Sequence, residues 1–500
     1  MRPRLMVIFS LLSISAIDHS LRGVTILSPS RGMVNPVRRS ARRGVHRPLA
    51  VRPARTVRSG LRMESGHLAQ HPRVRASGSY RRVALAPVTG PTSGPMQEEP
   101  MTSTADLTPR AQVAPPTPAE LLARNAASTT TASLAELARS SRSVWSGAAA
   151  RRATPLDLAT RGALWWSSMT DRRVPTWHLP HRTVLSTPFA HVHDFSPADA
   201  DTGVVPTLVL PPQAGHSSHV VDFAPGQSQL TVLLEAGLTQ LYAMEWRPAT
   251  PATREVTITD YLDVIDQAIV HAGGRANLVG DCQGGWLATI YAALHPDRVH
   301  TLTLAGAPID FHAGESLIAA STQLLTRALG MAPYRALVAM NGGNMSGRAV
   351  LSNFILMQPQ TELGRQLALL DNVDDPEHVE RYRVFEDWFK HTQDIPGAFY
   401  LWLVEHLFHK NELIDGRLVI DGRRADLADI TCPLFLLAGA RDHITPPAQL
   451  FAAADAVGTP PGEVMRRTSA GGHLGLFTGR QALTEDWPVL MAAVRAHSGR

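Results

Sequence analysis

Only two cysteines, Cys282 and Cys432, occur in 500 residues. So few thiols exclude a disulfide framework and fit a reducing compartment. Neither cysteine has the His or Cys neighbours of a metal site, so no metal and no bound cofactor is expected. Lysine is nearly missing too: Lys390 and Lys410 stand against 46 arginines. No apolar run reaches the roughly 18–20 residues that a membrane-spanning helix needs, so no transmembrane segment is expected. Acidic residues are scarce in one place only. Residues 1–95 hold 17 arginines and just two acids, Asp18 and Glu64. The net charge of +5 therefore hides a remainder that is about ten charges negative. The basic character belongs to the N-terminal stretch, and no nucleic-acid partner is expected for the rest.

What is present is organised in blocks. Residues 1–117 read as a disordered basic extension and linker, with Met96 or Met101 as candidate true starts. Leu5 to Ile17, after Met1-Arg2-Pro3-Arg4, resembles the beginning of a signal peptide, but no A-x-A cleavage site follows. The expectation is a cytoplasmic protein that is not exported. Residues 118–180 carry helical periodicity, with Trp165-Trp166 expected to pack onto the body. From 181 to 311 short apolar strands alternate with helices, as in a parallel doubly wound α/β sheet. In this block Thr183–Ser186 and His191–Phe195 read as edge strands. Residues 312–405 break the rhythm with a helix-rich stretch, read as an inserted cap. The sheet pattern resumes over 406–500.

The most informative segment is Asn277-Leu278-Val279-Gly280-Asp281-Cys282-Gln283-Gly284-Gly285-Trp286. It places G-x-C-x-G-G between an apolar strand and a helix. This is the setting of a nucleophile elbow in an α/β-hydrolase fold, with cysteine in place of the usual serine. In that fold the acid and the histidine follow in chain order. Asp442 comes directly after the strand 434–438, and His473 lies between Gly472 and Leu474. The candidate triad is therefore Cys282 as nucleophile, His473 as base and Asp442 as the group that orients the base. The positive end of the helix that begins near Gln283 favours the thiolate. The backbone N–H of Gln283 is the first expected oxyanion donor. After the strand 206–210 Pro211 and Pro212 have no N–H, which makes Gln213 the first possible second donor. Gly280, Gly284 and Gly285 are expected from the tight turn and the close helix–strand approach. His443 and Cys432 read as structural. A cysteine keeps a bound acyl group activated as a thioester, ready for transfer to an alcohol as well as to water.

These motifs resemble those of the polyhydroxyalkanoate synthases. Gly280–Gly285 is similar to their G-x-C-x-G-G box, and Asp442-His443-Ile444-Thr445-Pro446 to their D-H-I-x-P motif. Asn411-Glu412-Leu413, Met244–Arg247 and Asp260-Tyr261-Leu262 resemble further segments, over roughly residues 180–495. Gly306–Asp310 and Gly472–Gly479 are closer to the related intracellular polyhydroxyalkanoate depolymerases. Trp286 and Ala313-Gly314-Glu315 resemble a poorly characterised bacterial branch of the superfamily. Departures from the synthases are Asp281, where an aromatic is usual, Pro447, where they have Trp, and Leu476-Phe477-Thr478-Gly479 after the histidine. The resemblance implies an acyltransferase acting on (R)-3-hydroxyacyl coenzyme A thioesters or polyesters. Its alternatives are a depolymerase or thioesterase, and a non-catalytic protein of a granule or membrane surface. A granule-surface location and a homodimer are open at this level.

Overall fold

The computed structural model describes residues 116–499. The basic extension, the stretch Leu5 to Ile17 and the candidate starts Met96 and Met101 lie outside the described residues. The described chain opens with helices α1 (Pro118–Ala150) and α2 (Pro155–Thr170). Both start the same way. Thr117 or Thr154 is the N-cap, a proline follows, and Glu120 or Asp157 accepts a 2.8 Å hydrogen bond from the backbone N–H of that cap. These capping boxes satisfy N–H groups that a helix start leaves open. Trp165 packs as expected and donates its indole N–H to the Gln366 carbonyl at 2.9 Å. Trp166 does not, being 61% exposed. Successive helical side chains diverge by about 100°, so the two rings of the pair face different surroundings.

From Arg182 the chain builds an eight-stranded sheet. Its strands are β1 (Arg182–Ser186), β2 (Ala190–Asp194), β3 (Thr207–Leu210), β4 (Leu241–Trp246), β5 (Ala276–Asp281), β6 (Val299–Ala305), β7 (Leu434–Gly439) and β8 (Val464–Ser469). Their spatial order is β1-β2-β4-β3-β5-β6-β7-β8. β2 runs antiparallel to both its neighbours, while every pair from β4 to β8 is parallel. This is the mostly parallel, doubly wound α/β-hydrolase arrangement. One edge-strand expectation is corrected here. β1 is an edge, but β2 is paired on both sides, and His193 and Asp194 are buried. Their polarity reflects partners on the neighbouring strands: His193 meets Glu245 at 2.6 Å and Asp194 accepts from the exposed Arg182 at 2.7 Å.

The central strands are covered on both faces, so their side chains read as nearly continuous apolar runs. Every residue of β5 is buried. Asn277, the polar exception, is satisfied on all sides. Its amide donates to Val205 O at 3.1 Å and Ser498 Oγ at 2.9 Å, and its carbonyl accepts from Thr301 at 2.9 Å. That network ties β5 to β6 and to the end of the C-terminal helix α12 (Trp487–His497). Three earlier helices are the crossovers α3 (Gln229–Glu235), α4 (Ile258–His271) and α5 (Gln283–Leu294). α5 is buried along its whole length. A helix with no polar face belongs in the centre of a core, and α5 sits there between the sheet and the layers above it.

Between β6 and β7 lie six helices: α6 (Leu317–Leu329), α7 (Ala332–Met340), α8 (Gly347–Met357), α9 (Pro359–Asp371), α10 (Pro376–Phe389) and α11 (Gly397–Leu403). Two kinds of contact fasten this segment. Phe399 of α11 stacks on Tyr261 of α4 at 3.9 Å and faces Trp286 of α5 at 5.9 Å. The fully buried Glu386 of α10 pairs with Arg365 of α9 at 2.7 Å and with Arg172, just after α2, at 3.5 Å. A buried carboxylate needs such partners, because losing either would leave an uncompensated charge. Among the described residues no helix is long and apolar enough to cross a membrane.

Candidate active site

The elbow forms where β5 runs into α5. Cys282 stands between them with φ 50° and ψ −113°, a conformation that L residues rarely adopt. Its N–H donates to Ala305 O at 2.8 Å, and its carbonyl accepts from Gly285 at 3.0 Å. These bonds hold the strained residue at the C-terminal edge of the sheet, with its side chain partly accessible. The flanking glycines are needed because backbones touch. A Cβ on Gly280 would stand 2.5 Å from Gly285 Cα. One on Gly284 would land on the Leu210 carbonyl, and one on Gly285 would overlap Ala307. So α5 packs against both β3 and the turn after β6 with no room for a side chain.

The structure brings the three predicted groups together. His473 Nδ1 lies 2.7 Å from Asp442 Oδ2. The Cys282 thiol is close enough to act on the charge of the ring, and the Asp442 bond leaves Nε2 unengaged. The other oxygen of Asp442 accepts the N–H groups of Ile444 at 2.9 Å and Thr445 at 2.8 Å. Those two bonds lock the carboxylate in place. Burial works against a charge on His473, but Asp442 and the nearby thiol outweigh it and raise the imidazole well above its ordinary value. The ring is held edge-on by Phe477 at 5.5 Å. Beside it runs Gly306, at φ 54°, where a Cβ would come within 3.3 Å of the imidazole.

The two expected oxyanion donors fall in different settings. Gln283 is the first residue of α5, so its N–H belongs to the open start of that helix. Gln213 lies in the loop that leaves β3 beside the elbow. Its side chain is fully buried; it accepts from the Tyr261 hydroxyl and donates to the Arg247 carbonyl at 3.2 Å. Those bonds fix the loop that carries its backbone. The Trp246 indole fixes it further by donating to Pro211 O at 2.8 Å.

Burial lowers the basicity of His443. Cys432 sits at the other end of the sheet, where burial pushes its thiol up to about 11. The contacts missed in the sequence concern Asp281. This residue is fully buried directly behind Cys282, and Gln229 of α3 donates its Nε2–H to Asp281 Oδ1 at 3.2 Å. Burial drives the Asp281 carboxyl up to about 8, against the opposing pull of Gln229 and His473. Asp281 stands out in the sequence as a departure from the synthase box, but nothing there pairs it with a residue 52 positions earlier.

Comparison with known proteins adds a family. A family model described as "Protein of unknown function (DUF3141)" matches residues 187–477. The chain is also similar to the poly(3-hydroxyalkanoate) polymerase subunit PhaC of Allochromatium vinosum, at 27% identity over 279 residues, covering 54% of this chain and 76% of that protein. For the subunit of the same name from Thiocystis violacea the values are 26% over 306 residues, 58% and 82%. Among solved structures, a carboxylesterase from Nitrososphaera gargenis is 17% identical and has a TM-score of 0.38, covering 63% of this chain and 98% of its own. A hydrolase from Pseudomonas aeruginosa PA01 is 18% identical with a TM-score of 0.36, covering 63% and 97%.

Proposed function

This chain belongs to the DUF3141 family and is an enzyme of the α/β-hydrolase superfamily, and we propose that it transfers acyl groups through a thioester on Cys282. The substrate class is (R)-3-hydroxyacyl coenzyme A thioesters or the polyesters made from them. The observation that carries this reading is the Asp442–His473 bond beside the strained elbow that bears Cys282, with sulfur where hydrolases usually place oxygen. The names of the PhaC relatives support the substrate class.

In the proposed cycle His473 Nε2 takes the thiol proton, and the Cys282 sulfur attacks the acyl carbonyl. Negative charge gathers on the carbonyl oxygen, facing the N–H of Gln283 and the Gln213 loop. Collapse breaks the bond to coenzyme A, whose sulfur takes the proton back from His473. Exchange of one thioester for another costs little free energy, so the acyl group stays activated on the enzyme. A hydroxyl at the end of a growing chain then gives its proton to His473, attacks the Cys282 thioester and releases the thiol. Asp442 stabilises the imidazolium in both halves. Residues 312–405 serve as a cap over this centre, and a cytoplasmic, granule-surface setting belongs to the same proposal.

Hydrolysis is the rival outcome, favoured by the depolymerase-like Gly472–Gly479 segment. Purified protein given 3-hydroxybutyryl coenzyme A separates the readings. Coenzyme A release with polymer supports synthesis, and release with free acid alone supports a thioesterase. Acid released from native granules without coenzyme A turnover supports a depolymerase. Activity undiminished in Cys282→Ala would overturn the thioester mechanism.

A further inference from the structure

The carboxyl behind the nucleophile is in an unusual position. Asp281 closes β5 and is wholly enclosed, as is Gln229. The two side chains meet through one bond, from Gln229 Nε2 to Asp281 Oδ1. That leaves Asp281 Oδ2 and Gln229 Oε1, both buried and both without a hydrogen-bond partner among the described residues. Each of them is an acceptor when the carboxyl is ionised, so neither can satisfy the other, and buried polar atoms are costly when unpaired. One proton removes both defects. A carboxylic acid O–H on Oδ2 can donate to Gln229 Oε1, closing an acid–amide pair with two hydrogen bonds.

We propose that Asp281 is held as a neutral carboxylic acid paired with the amide of Gln229, and that in this form it is a positioning residue that keeps a second negative charge away from the Cys282–His473 pair.

The surroundings of Asp281 fit this assignment. β6 pairs Ala305 with Asp281, and β3 pairs Leu210 with the preceding Gly280; neither is titratable. α3 contributes the neutral Gln229. The charged group that bears on Asp281 is His473, beyond β8, and its Nδ1 is committed to Asp442. The adjoining titratable side chain on its own segment is the Cys282 thiol. Among the described residues no arginine or lysine neutralises Asp281, and burial, which pushes it up to about 8, disfavours its anion. Apolar enclosure of this kind is a known way to keep an acid neutral at working pH. Loss of the proton would add an anion beside the thiolate and leave two buried oxygens unsatisfied. Above that pH the thiolate becomes harder to form, and the imidazole holds its proton when deacylation needs it free.

The catalytic consequence rests on the triad reading; the protonation state does not. Infrared pH-difference spectra of the full chain test the protonation state. The expected wild-type result is a protonated-carboxyl C=O band at pH 7 that disappears on titration through about pH 8. Asp281→Asn should lack the band, and Gln229→Leu should shift it. A wild type with no such band at pH 7 overturns the assignment, even if Asp281→Asn cannot be obtained folded. Normalised kcat/KM profiles test the role. The wild-type fall between pH 7 and pH 9 should flatten at least threefold in Asp281→Asn. An unchanged alkaline limb, with Cys282→Ala inactive, removes the positioning role alone. Activity retained by Cys282→Ala removes the triad reading and leaves the infrared result standing.

Discussion

At the scale of single residues, the site depends on a few atoms with no freedom to move. Asp442→Asn keeps the shape of the side chain but turns an acceptor toward His473 into an amide. The imidazole then loses its tautomer control, and kcat should fall roughly a thousandfold or more, measured by coenzyme A release. Gly284 is bound by space alone. Its substitution by Ala must displace the Leu210 carbonyl of the neighbouring strand, at a cost of at least ~1–3 kcal/mol. A lowered urea midpoint or loss of soluble protein is the expected result, whereas a midpoint equal to wild type would show that α5 can slide. Cys282, Asp442 and His473 were legible in the sequence because each follows a strand and the fold fixes their order. Gln229 was not, because only the wrapping of α3 over the end of β5 brings it to Asp281.

Between whole elements, the helices above the sheet depend on aromatic contact and on charge. Phe399 stacks on Tyr261 and also reaches Trp286, so α11 rests on α4 and α5 together. Phe399→Ala empties that joint and should cost ~3–5 kcal/mol, read as a shifted denaturant midpoint. The helical periodicity of α1 and α2 was legible in the sequence, and their T-P-x-acid starts fix both N-termini. Thr154→Ala should loosen α2 by about 1 kcal/mol, seen as faster amide exchange over Pro155–Thr170 with the sheet unaffected. β2 was less legible. Its alternating His and Asp residues suggest water on one face, yet Glu245 of β4 and the exposed Arg182 of β1 cover them as partners from the neighbouring strands. Alternation reports polarity, and only the paired strands decide whether polarity means exposure. Trp165 and Trp166 were inseparable in the sequence for a similar reason, since the position of α9 decides which ring is covered.

For the molecule as a whole, buried titratable groups set how stability varies with pH. A carboxyl whose folded value is raised binds its proton more tightly in the native state than in the unfolded chain. Its contribution is fully present below the ordinary carboxylate range and is lost as pH rises through the folded value, here about 8. Asp281→Asn should therefore be more heat-stable than wild type at pH 8, with the gap narrowing as pH falls toward 4. A gap that stays constant with pH would mean that Asp281 is ionised in the folded protein. The two thiols lie in unlike surroundings. Cys282 meets an imidazole with its charge held by Asp442, whereas Cys432 is half-buried, and its burial pushes the thiol up to about 11. At neutral pH roughly one Cys432 in ten thousand is a thiolate. A mild haloacetamide should therefore consume one equivalent per chain and stop. The uptake would count competent centres in any preparation directly, and a fluorescent version would report on the elbow with no engineered cysteine.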